Sequence, residues 1–441
     1  MATRPSSVEI RAYQVGFGDC FLVTFVYEAK DRRSVLIDFG TTELPAVGGS
    51  RLPPSKHMPL IASEIEKDCE GRLTAVVATH RHADHISGFA TENATGKSGE
   101  VIKKLAPKLV LQPWTEDPDA KTDATKATRD SSRSPKSFTA GLRAMHDIAR
   151  DVVAITERPP AWMSAALRKE LAFIGEDNVR NRSAVQNLLD MGAARGARAV
   201  WAHHGSPSGL ESLLPGVKVH VLGPPNLEQT ESIRKQRSRD PDQFWHLLAG
   251  PRSLQGANVL AHGLARRRDG RAALPVEARW FRERLDRMRG EQLLQIVRTL
   301  DNQMNNTSLI LLFEVGGKKL LFPGDAQIEN WSYALQEAPD AAKTRALLAD
   351  VDVYKVGHHG SLNATPKKLL WENFTKKGKT KRLRTLLSTL PGKHGKVASK
   401  TEVPRRPLLE ALENETTLLN THDYPLGRNI RLSETVVIKM S

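Results

Sequence analysis

The chain opens as short apolar runs separated by glycine and polar breaks. VEIRAYQV, CFLVTFVYEA and SVLIDFG are β-rich and are interrupted by Gly16, Gly18 and a polar stretch at 30–33. Residues 58–69 read as a helix, and LTAVVATH (73–80) predicts a buried strand ending in the polar turn RHADHISG. Residues 91–139 are rich in Lys, Thr, Ser, Asp and Pro and read as a long loop or lid holding one short strand, KLVLQPW. A mainly helical pattern over 140–198 leads into two strand-like pieces at 197–203 and 217–225. The pattern breaks over 226–304, where 280–300 has apolar residues at helical spacing with charges between them. Strands resume at 307–315 and 318–324 around a Gly316-Gly317 turn, and VDVYKVG leads into a second polar loop, HHGS, before a further candidate strand, RTLLSTL. No internal repeat is visible. The order predicts a layered α/β domain with functional loops at strand ends. It is discontinuous, spanning 1–225 and 305–441, with 226–304 as a basic helical insertion.

Composition narrows the class. At 441 residues the chain has room for one elaborated domain or two, and 39% apolar with 26% charged residues is that of a folded protein. Cys20 and Cys69 make at most one bridge, which excludes a disulfide scaffold and suggests a reducing compartment. The N-terminal stretch lacks the apolar segment of a secretory signal, and the longest apolar runs are strand-length. The expectation is a cytoplasmic protein with no membrane insertion. A net charge of +15 favours anionic partners.

The densest chemistry is His80-Arg81-His82-Ala83-Asp84-His85, directly after a strand. Imidazole nitrogens with a carboxylate suit zinc, manganese or iron. His80 and His82 can point to one metal while Asp84 and His85 turn to a second; the alternative is a surface cluster without a role. Asp325, after a strand and a Pro-Gly turn, either bridges two cations or caps the following helix. His358 and His359 follow another strand and can converge on the same rim. Asp38, beside Gly40 at a strand end, either orients the histidine loop or is a turn residue. His203 and His204 form the one other tempting pair, in a strand-to-strand loop where polarity alone would account for them.

The segment THRHADHISG resembles the HxHxDH signature of the metallo-β-lactamase superfamily, and VGFGDC, VLIDFG, NNTSLILL, LLFPGD and KVGHHGS follow in the order found there. Together they are similar to the soluble hydrolase domain of the ComEC competence proteins and its free-standing relatives, over about 8–90 and from 305 onward, with only patchy likeness over 91–304. The resemblance implies a four-layered αββα sandwich and two divalent metal ions, Zn2+ before Mn2+. It implies His80, His82, Asp84, His85, Asp325 and His358 as ligands, with Asp38 orienting the loop. In that scheme a metal-activated hydroxide attacks, Asp84 orients it or accepts its proton, and either His359 or a metal-bound water protonates the leaving group. One departure stands out: where the superfamily usually supplies a third histidine for the first metal, this chain reads DNQMNNTSL, with Asn305, Asn306 and Ser308.

Three function classes follow. The first is a phosphodiesterase or nuclease acting on DNA, RNA or a nucleotide-like substrate, with basic segments containing Arg266, Arg267, Arg268, Lys376 and Lys377 either as the phosphate-facing surface or as solvated helix faces or a site for an acidic protein. The second is a metallohydrolase of a small ester, lactone or choline phosphoester. The third is a non-enzymatic or partner-dependent component of a DNA-uptake or anti-phage defence system. A Walker-type phosphate loop and a nucleophile elbow are both missing, which argues against ATP hydrolysis and covalent catalysis.

Overall fold

The computed structural model describes residues 4–28, 31–118, 126, 182–230, 305–394, 402–424 and 432–440. The helix expected over 280–300 and the arginines at 266–268 lie outside the described residues.

Strands β1 (Ser7–Tyr13), β2 (Cys20–Glu28) and β3 (Asp31–Phe39) form an antiparallel meander. A two-stranded hairpin, β4 (Ala46–Val47) and β5 (Ser50–Arg51), precedes helix α1 (Pro54–Asp68). Strand β6 (Ala75–Val77) then lies parallel to β3. Helices α2 (Ala83–Ile86) and α3 (Ser98–Lys104) connect it to β7 (Leu109–Pro113), and helix α4 (Arg182–Gly192) precedes β8 (Arg198–Ala202), which is parallel to β7. The first sheet has the order β15-β1-β2-β3-β6-β7-β8, where β15 is Ser433–Lys439.

The second sheet repeats this plan. Strands β9 (Val217–Gly223), β10 (Ile310–Val315) and β11 (Lys318–Phe322) form an antiparallel meander. Helices α5 (Ile328–Ser332) and α6 (Ala341–Ala349) lead to β12 (Val353–Lys355), then come β13 (Arg384–Leu387), helix α7 (Arg406–Glu415) and β14 (Thr417–Asn420). Strands β11 to β14 run parallel, in the order β14-β13-β12-β11-β10-β9.

Alternation along the strands explains the layering, because successive side chains leave a strand on opposite faces. On β2, Phe21, Val23 and Phe25 enter a core shared with Leu311, Phe313, Leu320 and Phe322 of the second sheet. Their neighbours Cys20 and Leu22 pack instead with Met58, Ile61, Ala62 and Ile65 of α1 and Leu188 of α4. On the second sheet, Ile310 and Leu312 face outward onto Trp331, Leu348, Leu408 and Leu412. Ring contacts join the sheets, Phe21 to Phe322 at 6.0 Å and Phe25 to Phe313 at 5.7 Å. The described residues thus form a mixed α/β fold in which two sheets share an inner core and helices cover their outer faces. Among them, no helix is long and apolar enough to cross a membrane.

Two expectations change. The stretch from 91 is no bare loop, since Ser98–Lys104 is helical and buries Ile102 between α1 and α4. Helix α1 starts four residues before the expected 58, because Pro54 fixes a helical φ at the first turn, where no backbone donor is needed.

Candidate metal centre

The strand ends of both sheets meet at one buried cluster. Asp38, the penultimate residue of β3, takes a left-handed φ of 55° and is fully buried. Its carboxylate accepts from the Thr79 N–H and from Thr79 Oγ1, both at 2.7 Å, and lies 2.8 Å from His85 Nδ1. An Nδ1–H donating to Asp38 leaves the lone pair of His85 on Nε2. That atom faces Asp325 Oδ2 at 3.1 Å and Asp84 Oδ1 at 4.0 Å.

The HxHxDH loop needs close backbone contact. A Cβ on Gly40 would stand 2.4 Å from the Asp84 carbonyl carbon and from the His85 nitrogen. The Asp19 N–H donates to Asp84 O at 2.8 Å, so the GFGDC segment clamps the same turn from the other side. His80 Nε2 and His82 Nδ1 face each other at 3.0 Å, and Asn305 Oδ1 lies 3.1 Å from His82 Nδ1. Asn305 therefore stands beside His82. Asn306 and Ser308 are buried on the same segment, and their carbonyls accept from Asn330 Nδ2.

From the second sheet, the turn after β11 delivers Asp325, and the turn after β12 delivers His358 and His359, which both take left-handed φ values, 44° and 52°. Non-glycine residues seldom adopt these angles, and they cluster where a turn must present side chains. His359 is fully buried, with Nε2 3.1 Å from Asp84 Oδ2 and 3.7 Å from Asp325 Oδ2. His358 is 26% exposed, with Nε2 3.8 Å from Asp325 Oδ2.

Three groups of metal-capable atoms result among the described residues, each within 4.8 Å: His80, His82 and Asp84; Asp84, His85, Asp325 and His359; and Asp19, Asp38 and His85. Asp84 belongs to the first two. The grouping takes in His359 and leaves His358 at the rim, whereas the sequence pattern favoured His358 as the ligand. Bond lengths of about 2.0–2.2 Å place the ligands of one cation roughly 3–4.4 Å apart, so the separations here suit coordination. Buried His and Asp groups could thus hold a metal ion.

Electrostatics point the same way. Asp19 and Asp325 pair with one buried ammonium, Lys355, and Asp38 lies near enough to act on it. Burial alone would raise the Asp84 and Asp325 pKa values, but neighbouring histidines, joined at Asp325 by Lys355, hold both well below the usual carboxylate range. Burial opposes a charge on His85 too, yet Asp325, Asp38 and Asp84 push its pKa well above the ordinary imidazole value. His80 goes the other way, lowered by burial and by the neighbouring imidazoles. A buried excess of carboxylate is costly unless protons or cations compensate it.

Other expected residues lie elsewhere. His204 bonds Leu222 O at 2.8 Å and Asp340 Oδ1 at 3.0 Å, and neither it nor His203 joins a metal-capable group among the described residues. Lys376 pairs with Asp350 and Asp352, while Lys377 pairs with Glu415 and lies over the Trp371 ring. Sequence reasoning passed over Asp19, Thr79 and Lys355. The signal for Lys355 was a single charge inside the apolar run VDVYKVG, a position seldom buried without a partner.

No protein-family model matches the chain, and a search of curated proteins gives no match.

Proposed function

We propose that the chain is a metal-dependent hydrolase with the sandwich and ligand plan of the metallo-β-lactamase superfamily, acting on phosphodiester bonds. The observation that carries this reading is the sharing of Asp84 between two groups of largely buried donors drawn from three separate turns. His80, His82 and Asp84 would hold one divalent ion, and Asp84, His85, Asp325 and His359 a second. Divalent ions bound there supply Lewis acidity and bring the pKa of water toward neutrality. The residues do the rest. Asp38 fixes the His85 tautomer, Asp84 and Asp325 orient the attacking water, and partly exposed His358 stands at the rim to pass a proton to the leaving group. Asn305 beside His82 is a weak neutral oxygen donor, a ligand type that would suit manganese better than zinc.

The pairing of Lys376 and Lys377 within the protein supports a second reading, a compact phosphoester or ester in place of a nucleic-acid strand at that face.

Metal analysis decides first: about two divalent ions per chain are expected in the wild type, and fewer in His82→Ala and Asp325→Ala. Hydrolysis of bis(p-nitrophenyl) phosphate, single- and double-stranded DNA, RNA and p-nitrophenyl acetate follows, with zinc or manganese at low salt. Cleavage of the phosphodiesters supports the first reading, and cleavage of the acetate alone the second. A protein that comes out metal-free and refuses added metal sinks both.

A further inference from the structure

Behind the metal-capable groups lies a charge pair that the scheme above leaves unused. The Lys355 side chain, on the last residue of β12, is 2% exposed, and that of Asp19 is 1% exposed. Lys355 Nζ makes a direct ion pair with Asp19 Oδ2, bonds Gly324 O at 3.2 Å and lies 3.6 Å from Asp325 Oδ1. Asp19 in turn stands 3.7 Å from His85 Nδ1 and 3.6 Å from His359 Nδ1. The pair thus approaches, from behind, His85, Asp325 and His359, the three residues grouped with Asp84 at the second position.

We propose that Lys355 and Asp19 are positioning residues that aim the Asp325 carboxylate, with the ammonium serving as a fixed cation behind the metal centre. The inference rests on the metal-binding reading. The two Asp325 oxygens have different neighbours. Oδ1 accepts from the His358 N–H at 3.1 Å and faces Lys355, whereas Oδ2 faces His85 and His359. Holding Oδ1 with a backbone donor and a fixed positive charge fixes the carboxylate rotation and turns Oδ2 toward the donor group. Asp19, Asp38 and His85 also offer atoms within 4.8 Å of one another. Lys355 lies against Asp19 and brings one positive charge to that side. An ammonium needs no open coordination shell, and its bond to Gly324 O ties it to the turn that carries Asp325.

The test measures zinc affinity by chelator competition and ligand geometry by the visible spectrum of the cobalt-loaded protein. Lys355→Met, Asp19→Asn and the double variant Lys355→Met/Asp19→Asn are compared with wild type. Because a buried pair can be replaced by neutral groups with little loss, the double variant is expected to recover the thermal stability lost in the single variants. It should still bind one of its two ions about 10–100-fold more weakly, with a changed cobalt spectrum, as removal of an orienting partner does. The ion at His80 and His82 should be unaffected, whereas general unfolding would release both. A folded double variant with wild-type affinity and spectrum overturns the inference and leaves the proposed function standing. A wild type that binds no metal overturns both. If the double variant does not accumulate, Lys355→Arg decides. Its larger planar head keeps the charge but displaces Asp325, so wild-type affinity and spectrum there would also overturn the inference.

Discussion

The N-terminal and C-terminal sheets carry out the same plan with different results. Each is a three-stranded meander followed by three parallel strands, β1-β2-β3 then β6-β7-β8, and β9-β10-β11 then β12-β13-β14. Corresponding turns carry the chemistry. At the end of the third strand stands Asp38 in one half, and just past it Asp325 in the other; after the fourth stand His80 to His85 and His358-His359. Asp38 is consumed by Thr79 and His85, so it orients. Asp325 is held by one oxygen and presents the other to the cluster. Equivalent positions therefore do different work, and what separates them is the company each carboxylate keeps.

The largest expected effect tests that division directly. Asp325→Ala should lower phosphodiester hydrolysis on the order of 1000-fold or more, while Asp38→Asn should weaken metal binding about 10–100-fold. Steady-state rates and metal titration of both variants give the answer, and equal damage from the two would end the distinction between holding and orienting.

Backbone packing gives the next contrast. Gly40→Ala drives a methyl into the Asp84–His85 backbone at 2.4 Å, whereas a Cβ on Gly324 meets the Thr79 side chain at 2.8 Å. We expect Gly40→Ala to cost about 4 kcal/mol or to prevent folding, by urea denaturation. Gly324→Ala should cost less, because a side chain yields more readily than a backbone, although its φ of 55° adds strain.

The N-terminal half should carry an acid response of its own. His57, on α1, is buried with Nε2 2.7 Å from Gln14 O, and burial lowers its pKa. The stretch 323–352 that joins β11 to β12 has no histidine. The unfolded chain takes up the His57 proton first as pH falls below about 6.5. Its contribution is therefore intact above that value and is lost as pH drops toward the folded-state pKa. Thermal midpoints between about pH 7 and 5 should fall less steeply in His57→Gln than in wild type; parallel slopes would assign the acid sensitivity elsewhere.

The smallest effect concerns the surface. Lys377→Ala should cost about 0.5 kcal/mol, since its pair with Glu415 is partly solvated. It should also leave the salt dependence of any DNA binding unchanged; a shallower salt slope would return Lys377 to the phosphate-facing surface.

Much of this was legible in the residues. The inner strands carry apolar side chains on both faces, and the runs at 20–27 and 308–315 mark β2 and β10. The histidine loop, Asp325 and the His358-His359 pair stood out because ligand-type side chains at strand ends are dense. Strands β14 and β15 were missed, and both lie at sheet edges where burial is weak. Of Ser433–Lys439 only Ile438 is buried, so the alternating signal is nearly absent. The doubled topology was hidden as well, because sheet packing asks only for apolar side chains at alternate positions and leaves their identity free. Roles within the cluster depend on turn angles: two adjacent left-handed residues decide that His359 points inward and His358 stays at the rim.

Strand β1 is paired along its whole length with β15, Ser7 opposite Lys439 through Tyr13 opposite Ser433. During synthesis the first sheet must wait, with one flank of β1 open, until residues more than 400 positions later leave the ribosome. A nascent chain held in that state offers an unpaired edge to other chains. Early termination before residue 433 would accordingly yield aggregates, even though every metal-capable side chain had already been made.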